Sequence, residues 1–145
     1  MTRLRFGVAV GVLAATGTAM AAVTVTETGK IANAPKSSVS AKIVAVGGKA
    51  RKIGSFVFTG VPARCDGGLA PVDARLSMKL VVDPVTNAFE GRKEITTGAG
   101  GFVAVQGKVA ADARSARGTV SFDISNPPPD GECRVTGKHW KIKGP

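Results

Sequence analysis

Apolar and polar residues alternate with a period of two along most of this chain, the pattern of strands with one face buried. The clearest run is 75–82, where Leu76, Met78, Leu80 and Val82 share one side and Arg75, Ser77 and Lys79 the other. Asp83-Pro84 and Thr86-Asn87 then signal a turn. Residues 89–95 place Phe89 and Ile95 inward and Glu90, Arg92 and Glu94 outward. Val103, Val105 and Val109 form a further inward set, and Val120, Phe122 and Ile124 answer it across a turn at 111–116, so the two runs predict a hairpin.

Nearer the start, Val23 to Gly29 reads as a strand, rich in β-branched residues and ended by glycine. Residues 30–41 lack a clean period and are expected to be an irregular linker. Ile43 to Val46 is a short apolar run stopped by Gly47-Gly48. Phe56 and Phe58 then share a face until Gly60 and Pro62 interrupt it, and Asp66-Gly67-Gly68 marks a turn. The final run, 133–143, changes phase. Cys133 and Val135 are apolar at odd positions, Trp140 and Ile142 at even ones, with Gly137 between them. One extra residue there predicts a β-bulge at or beside Gly137, so that both halves face the core. Asn126-Pro127-Pro128-Pro129-Asp130-Gly131 can be neither helix nor central strand and is expected to cross the sheet edge in a polyproline-like form.

No window beyond the first residues sustains a helical period. The expected fold is all-β: an antiparallel β-sandwich or small β-barrel of about eight short strands with one disulfide.

Residues 1–21 have the character of an export signal. Arg3 and Arg5 precede an apolar stretch over 6–15, and Ala19-Met20-Ala21 offers a small-x-small cleavage site. The expected organisation is therefore a signal peptide over 1–21, an N-terminal strand and linker over 22–41, and a single all-β domain over 42–145. The expected location is secreted or cell envelope, and no later run is long and apolar enough to span a bilayer. In an oxidising compartment, Cys65 and Cys133 read as one stabilising bridge. The alternative, a metal site shared with His139, lacks any paired C-x-x-C or H-x-x-x-H spacing.

The chain carries 20 basic and 10 acidic residues, a net charge of +10. Losing Arg3 and Arg5 leaves +8. Seven cations (Lys30, Lys36, Lys42, Lys49, Arg51, Lys52 and Arg64) lie between Thr28 and Cys65 without an acid among them, and Arg134, Lys138, Lys141 and Lys143 crowd the last run. A bridge between the two cysteines brings the ends of these basic segments together. Lys49, Arg51, Lys52, Lys138, Lys141 and Lys143 are the candidate anion-binding residues. Acidic glycans, wall polymers and anionic lipid headgroups are the expected partners of such a face. Nucleic acid is disfavoured, because aromatic residues do not interleave with the cations as stacking platforms.

Gly48, Ser55-Phe56-Val57, Cys65-Asp66-Gly67, Gly101-Phe102, Gly107, Arg117-Gly118-Thr119-Val120, Cys133, Thr136-Gly137 and Trp140 together resemble a pattern in small secreted β-rich proteins of actinobacteria and their relatives. The resemblance covers roughly residues 48–143. It implies the β scaffold and the pairing of Cys65 with Cys133, and it brings no site residues.

Catalytic signatures are sparse. There is no tyrosine, no Gly-x-Ser-x-Gly elbow, no His-Glu-x-x-His and no phosphate-binding glycine loop. His139 stands beside Trp140 in an alternating run and is expected to face solvent. Asp66, Asp130 and Glu132 are expected to approach one another if the bridge forms, as a turn cluster. The reading is a non-enzymatic binding or structural module without cofactor or metal. The alternative is a secreted hydrolase or enzyme inhibitor with its site in the loops at 62–72 and 125–132.

Overall fold

The computed structural model describes residues 19–95, 100–125 and 130–145. Most of the stretch expected to be an export signal, and residues 126–129 of the expected polyproline-like crossing, lie outside the described residues. The described chain is all-β: β1 (Ala22–Ile31), β2 (Ala34–Val46), β3 (Lys49–Cys65), β4 (Gly68–Val81), β5 (Ala88–Glu94), β6 (Gly101–Val109), β7 (Ser115–Ser125) and β8 (Glu132–Lys143). All eight belong to one antiparallel sheet in the order β4-β3-β2-β1-β8-β7-β6-β5, and β3 also pairs with β8.

The β1–β2 hairpin explains that extra pairing. It lies between β8 and β3, and its two-residue turn, Ala32 and Asn33, ends it at the Ile31–Ala34 pair. Beyond that tip β3 and β8 meet directly, with Arg64 opposite Arg134 and Cys65 opposite Cys133. The Cys65–Cys133 disulfide, with a Cα–Cα distance of 4.0 Å, fastens the place where the intervening hairpin stops.

Residues 30–41 are therefore strand and turn, not linker. Ser37, Val39, Ala41 and Ile43 point inward. Ser37 breaks the apolar period, but its hydroxyl accepts from Ile31 N at 3.0 Å and donates to the Ala34 carbonyl at 2.6 Å, so it is a satisfied buried group at the hairpin end. The strand beginning at Val23 runs on to Ile31 and pairs on both sides, with β2 and with β8.

The core gathers on the inner face. Phe56 lies 5.8 Å from Phe58, 6.0 Å from Phe89 and 5.4 Å from Trp140 between ring centroids. Phe56 is on the second strand of the sheet order and Phe89 on the last, so the sheet wraps until its two ends face each other. Leu80 of β4 packs where a Cβ on Gly91 of β5 would stand, 2.3 Å from its Cδ2. Trp140 and Phe89 approach to 6.1 Å across the row Phe89–Gly107–Gly118–Trp140. The two glycines leave that row open for the rings, and their strands come so close that a Cβ on Gly118 would lie 1.9 Å from the Gln106 carbonyl oxygen.

Bulges adjust the strand phases. In β8 the register passes from Val120–Lys138 to Phe122–Val135, with one extra residue at Thr136-Gly137. Gly137 has φ +56° and donates its N–H to Ser121 Oγ at 2.8 Å. Val135 and Trp140 both turn inward as a result. In β3, Gly60 and Pro62 do not end the strand; a register shift near Gly60 carries it through to Cys65. A second shift, between Gly54–Lys79 and Phe56–Leu76, leaves Met78 on the surface at 36% exposure, whereas Leu76, Leu80 and Val82 are buried. Period two alone counted Met78 into the core; the bulge displaces it.

Candidate functional site

A cleft of about 1410 Å³ is lined by residues of six strands, β1 and β4 to β8. Strand register determines what lines it. Lys30 on β1 pairs with Lys141 on β8, Lys141 with Arg117 on β7, and Arg117 with Lys108 on β6. Four cations on four adjacent strands thus stand in one row, all exposed. At about 4.8 Å per strand the row is roughly 14 Å long. A second row, shifted one strand along the sheet to β8, β7, β6 and β5, is His139, Thr119, Gln106 and Glu90. Gly107 and Gly118 lie between the rows, and Val81 at the end of β4 with Pro84 and Thr86 of the turn that follows line one side.

The electrostatics of the row are uncompensated. Among the described residues the ion pairs are Arg92–Glu94, Arg134–Asp123 and Arg134–Glu132, and none reaches the row. Like charges directly opposite on paired strands repel and cost stability. Lys30 is steered by donating to the Pro35 carbonyl. The cleft also holds two acids, both outside the row. Asp83 accepts from Thr86 N at 2.8 Å and Val85 N at 2.7 Å, and these bonds hold its carboxyl below the usual range and keep it ionised. Glu90 stands at the far end of the second row.

The sequence-derived candidates divide. Lys141 is in the row, and Lys143, two residues on along β8, is likewise exposed, between Thr28 and Ser115. Lys138 lies at the bulge and lines a different cleft with Arg64, Arg134 and Leu69. Arg134 there is bound to Asp123 at 3.0 Å and Glu132 at 2.5 Å, so that cleft is close to neutral. Lys49, Arg51 and Lys52 lie beyond the β2–β3 turn, whose flanking Val46 pairs with Ala22 at the start of β1. Lys30 is near the end of β1, about 25 Å further along the strand direction. The eleven basic residues of the two segments therefore do not form one patch. Lys108 and Arg117 were missed because they lie outside both basic segments; their outward phase on adjacent strands was the available signal.

His139 is exposed and lines the cleft beside Lys141. Asp66, Asp130 and Glu132 do converge, as turn chemistry. Asp66 Oδ2 accepts from Glu132 N at 3.0 Å, Asp66 N donates to the Glu132 carbonyl at 3.1 Å, and Gly67 N donates to the Asp130 carbonyl. Among the described residues no cluster of three or more His, Cys, Asp or Glu side chains could hold a metal ion, and the two sulfurs are bonded to each other.

A second site escaped the sequence reading. Glu27 on β1 is 1% exposed, and neither carboxylate oxygen has a hydrogen-bond partner. It lies under the C-terminal end of β8, where Gly144 N donates to the Arg114 carbonyl at 2.9 Å. Desolvation, with Asp112 nearby, pushes its carboxyl up to about 7.

No protein-family model matches this chain, and no curated protein or solved structure matches it. Function rests on the geometry.

Proposed function

We propose that this chain is an exported, non-enzymatic β-module that binds anionic polymers such as acidic glycans through the row Lys30–Lys141–Arg117–Lys108. The observation that carries the reading is the register: four cations made direct neighbours across four strands with no acid among them. Scaffold solubility needs scattered charge, and cations spread between acids would serve it without mutual repulsion. An extended polyanion converts that repulsion into attraction. The Cys65–Cys133 bridge supports an oxidising destination. Among the described residues no helix is long and apolar enough to cross a membrane. The rings of Phe56, Phe58, Phe89, Phe122 and Trp140 are buried, which favours a glycan or wall polymer over single-stranded nucleic acid.

Chromatography on heparin resin tests this. The wild type is expected to bind at low salt and elute before or near physiological ionic strength, since exposed charges are screened there. Arg117→Glu plus Lys141→Glu is expected to flow through, and Lys49→Glu plus Lys52→Glu to elute close to wild type. Unchanged retention of the first pair would remove the basis of the proposal.

A further inference from the structure

The cleft that carries the cation row also has an apolar wall, and its position narrows the ligand. Val81 is 72% exposed, and Val85, at the turn between β4 and β5, is 87% exposed. Val81, Pro84 and Ala88 line the same cleft as Lys30, Lys108, Arg117 and Lys141. The turn holding Val85 is stiff. Asp83 Oδ1 caps Val85 N and Thr86 N, Asn87 N donates to the Asp83 carbonyl at 2.9 Å, and Asp83 N donates to the Ala88 carbonyl at 2.9 Å. The hydrogen bonds hold the turn so that Pro84 and Val85 stay presented to water beside the cation row.

Resting on the anion-binding reading above, we infer that this face docks on an anionic lipid surface. The cation row meets the headgroup phosphates, and the turn at 83–87 places Val85 and Pro84 among the headgroups. The pairing of features is what adds an anionic bilayer to the polymers that the row alone would hold. A dissolved polyanion would use the row and leave the valines in water, whereas an interface rewards buried apolar area and basic charge together. The other cleft supplies an internal contrast: Leu69 is 81% exposed there, but its neighbour Arg134 is neutralised by two carboxylates.

The test is co-sedimentation of the chain, purified in its exported form, with phosphatidylglycerol-containing and pure phosphatidylcholine vesicles, beside heparin elution of the same variants. Binding to the anionic vesicles and not to the neutral ones is expected. Val81→Ser plus Val85→Ser should weaken vesicle binding roughly fivefold to tenfold and leave heparin elution unchanged. Arg117→Ser plus Lys141→Ser should weaken vesicle binding about 25-fold, from roughly fivefold per charge, and also lower the heparin elution salt. Leu69→Ser should change neither. Heparin retention without vesicle binding, or vesicle binding indifferent to the valine pair, overturns the lipid inference and leaves the polymer reading standing. Failure to bind either heparin or vesicles overturns both.

Discussion

Replacing Glu27 with Gln should make the protein more stable at alkaline pH and leave it nearly unchanged at acid pH. The side chain is buried, both oxygens lack partners, and its carboxyl is raised from 4.5 to about 7. A raised carboxyl binds its proton more tightly in the folded than in the unfolded state. Below about pH 4.5 both states are protonated and the residue adds no pH dependence. Between 4.5 and 7 the folded state holds more protons, so stability falls as pH rises, and above 7 the full penalty is in force. A shift of this size corresponds to about 3 kcal/mol. Glutamine keeps the shape and cannot ionise. For a domain of this length, about 3 kcal/mol is worth roughly 10 °C in Tm. Thermal unfolding at pH 4.5 and pH 8.5, in one ionic strength, measures it. The difference between mutant and wild-type Tm should be small at pH 4.5 and approach roughly 10 °C at pH 8.5. Equal differences at both values would mean that Glu27 is not buried and unpaired as described.

Three other outcomes follow from the packing. Gly118→Ala should cost about 3 kcal/mol or more, because the new methyl would stand 1.9 Å from the Gln106 carbonyl oxygen of the paired strand. Gly137→Ala meets nothing within 4 Å and should cost only about 1 kcal/mol for its positive φ; urea unfolding that ranks the two the other way contradicts the account of the β6–β7 row. Cys65→Ala plus Cys133→Ala should lose about 4 kcal/mol, since the bridge closes a 68-residue separation, and a loss below about 1 kcal/mol in the same assay would show that the β3–β8 junction holds without it.

Much of the fold was legible in the sequence because one face of each strand is buried. The runs at 75–82, 89–95, 102–110 and 118–124 fall within β4 to β7 or run one residue beyond an end, and the phase change around Gly137 located the bulge in β8. The β1–β2 hairpin was hidden because its inward positions include Ser37 and two alanines, which carry little hydrophobic signal. Glu27 was visible in principle, on the same phase as Val23 and Val25, yet alternation does not say that such a position lies under the chain end. The candidate site was the least legible part. Density of charge along the chain pointed to 28–65 and 133–143, whereas proximity follows sheet order. That order sets Lys30 and Lys141 beside Arg117 and Lys108 and leaves Lys49, Arg51 and Lys52 at the other end of β1.

The central claim, that the cross-strand row meets a polyanion, is tested most directly by the salt dependence of affinity for a heparin oligosaccharide. Each polyanion charge neutralised by the protein releases roughly one counterion, so the slope of log K against log salt counts the contacts. Replacing Lys30, Lys108, Arg117 and Lys141 together by Ser should lower the magnitude of that slope by about 3 to 4. A slope unchanged by removal of all four would contradict it.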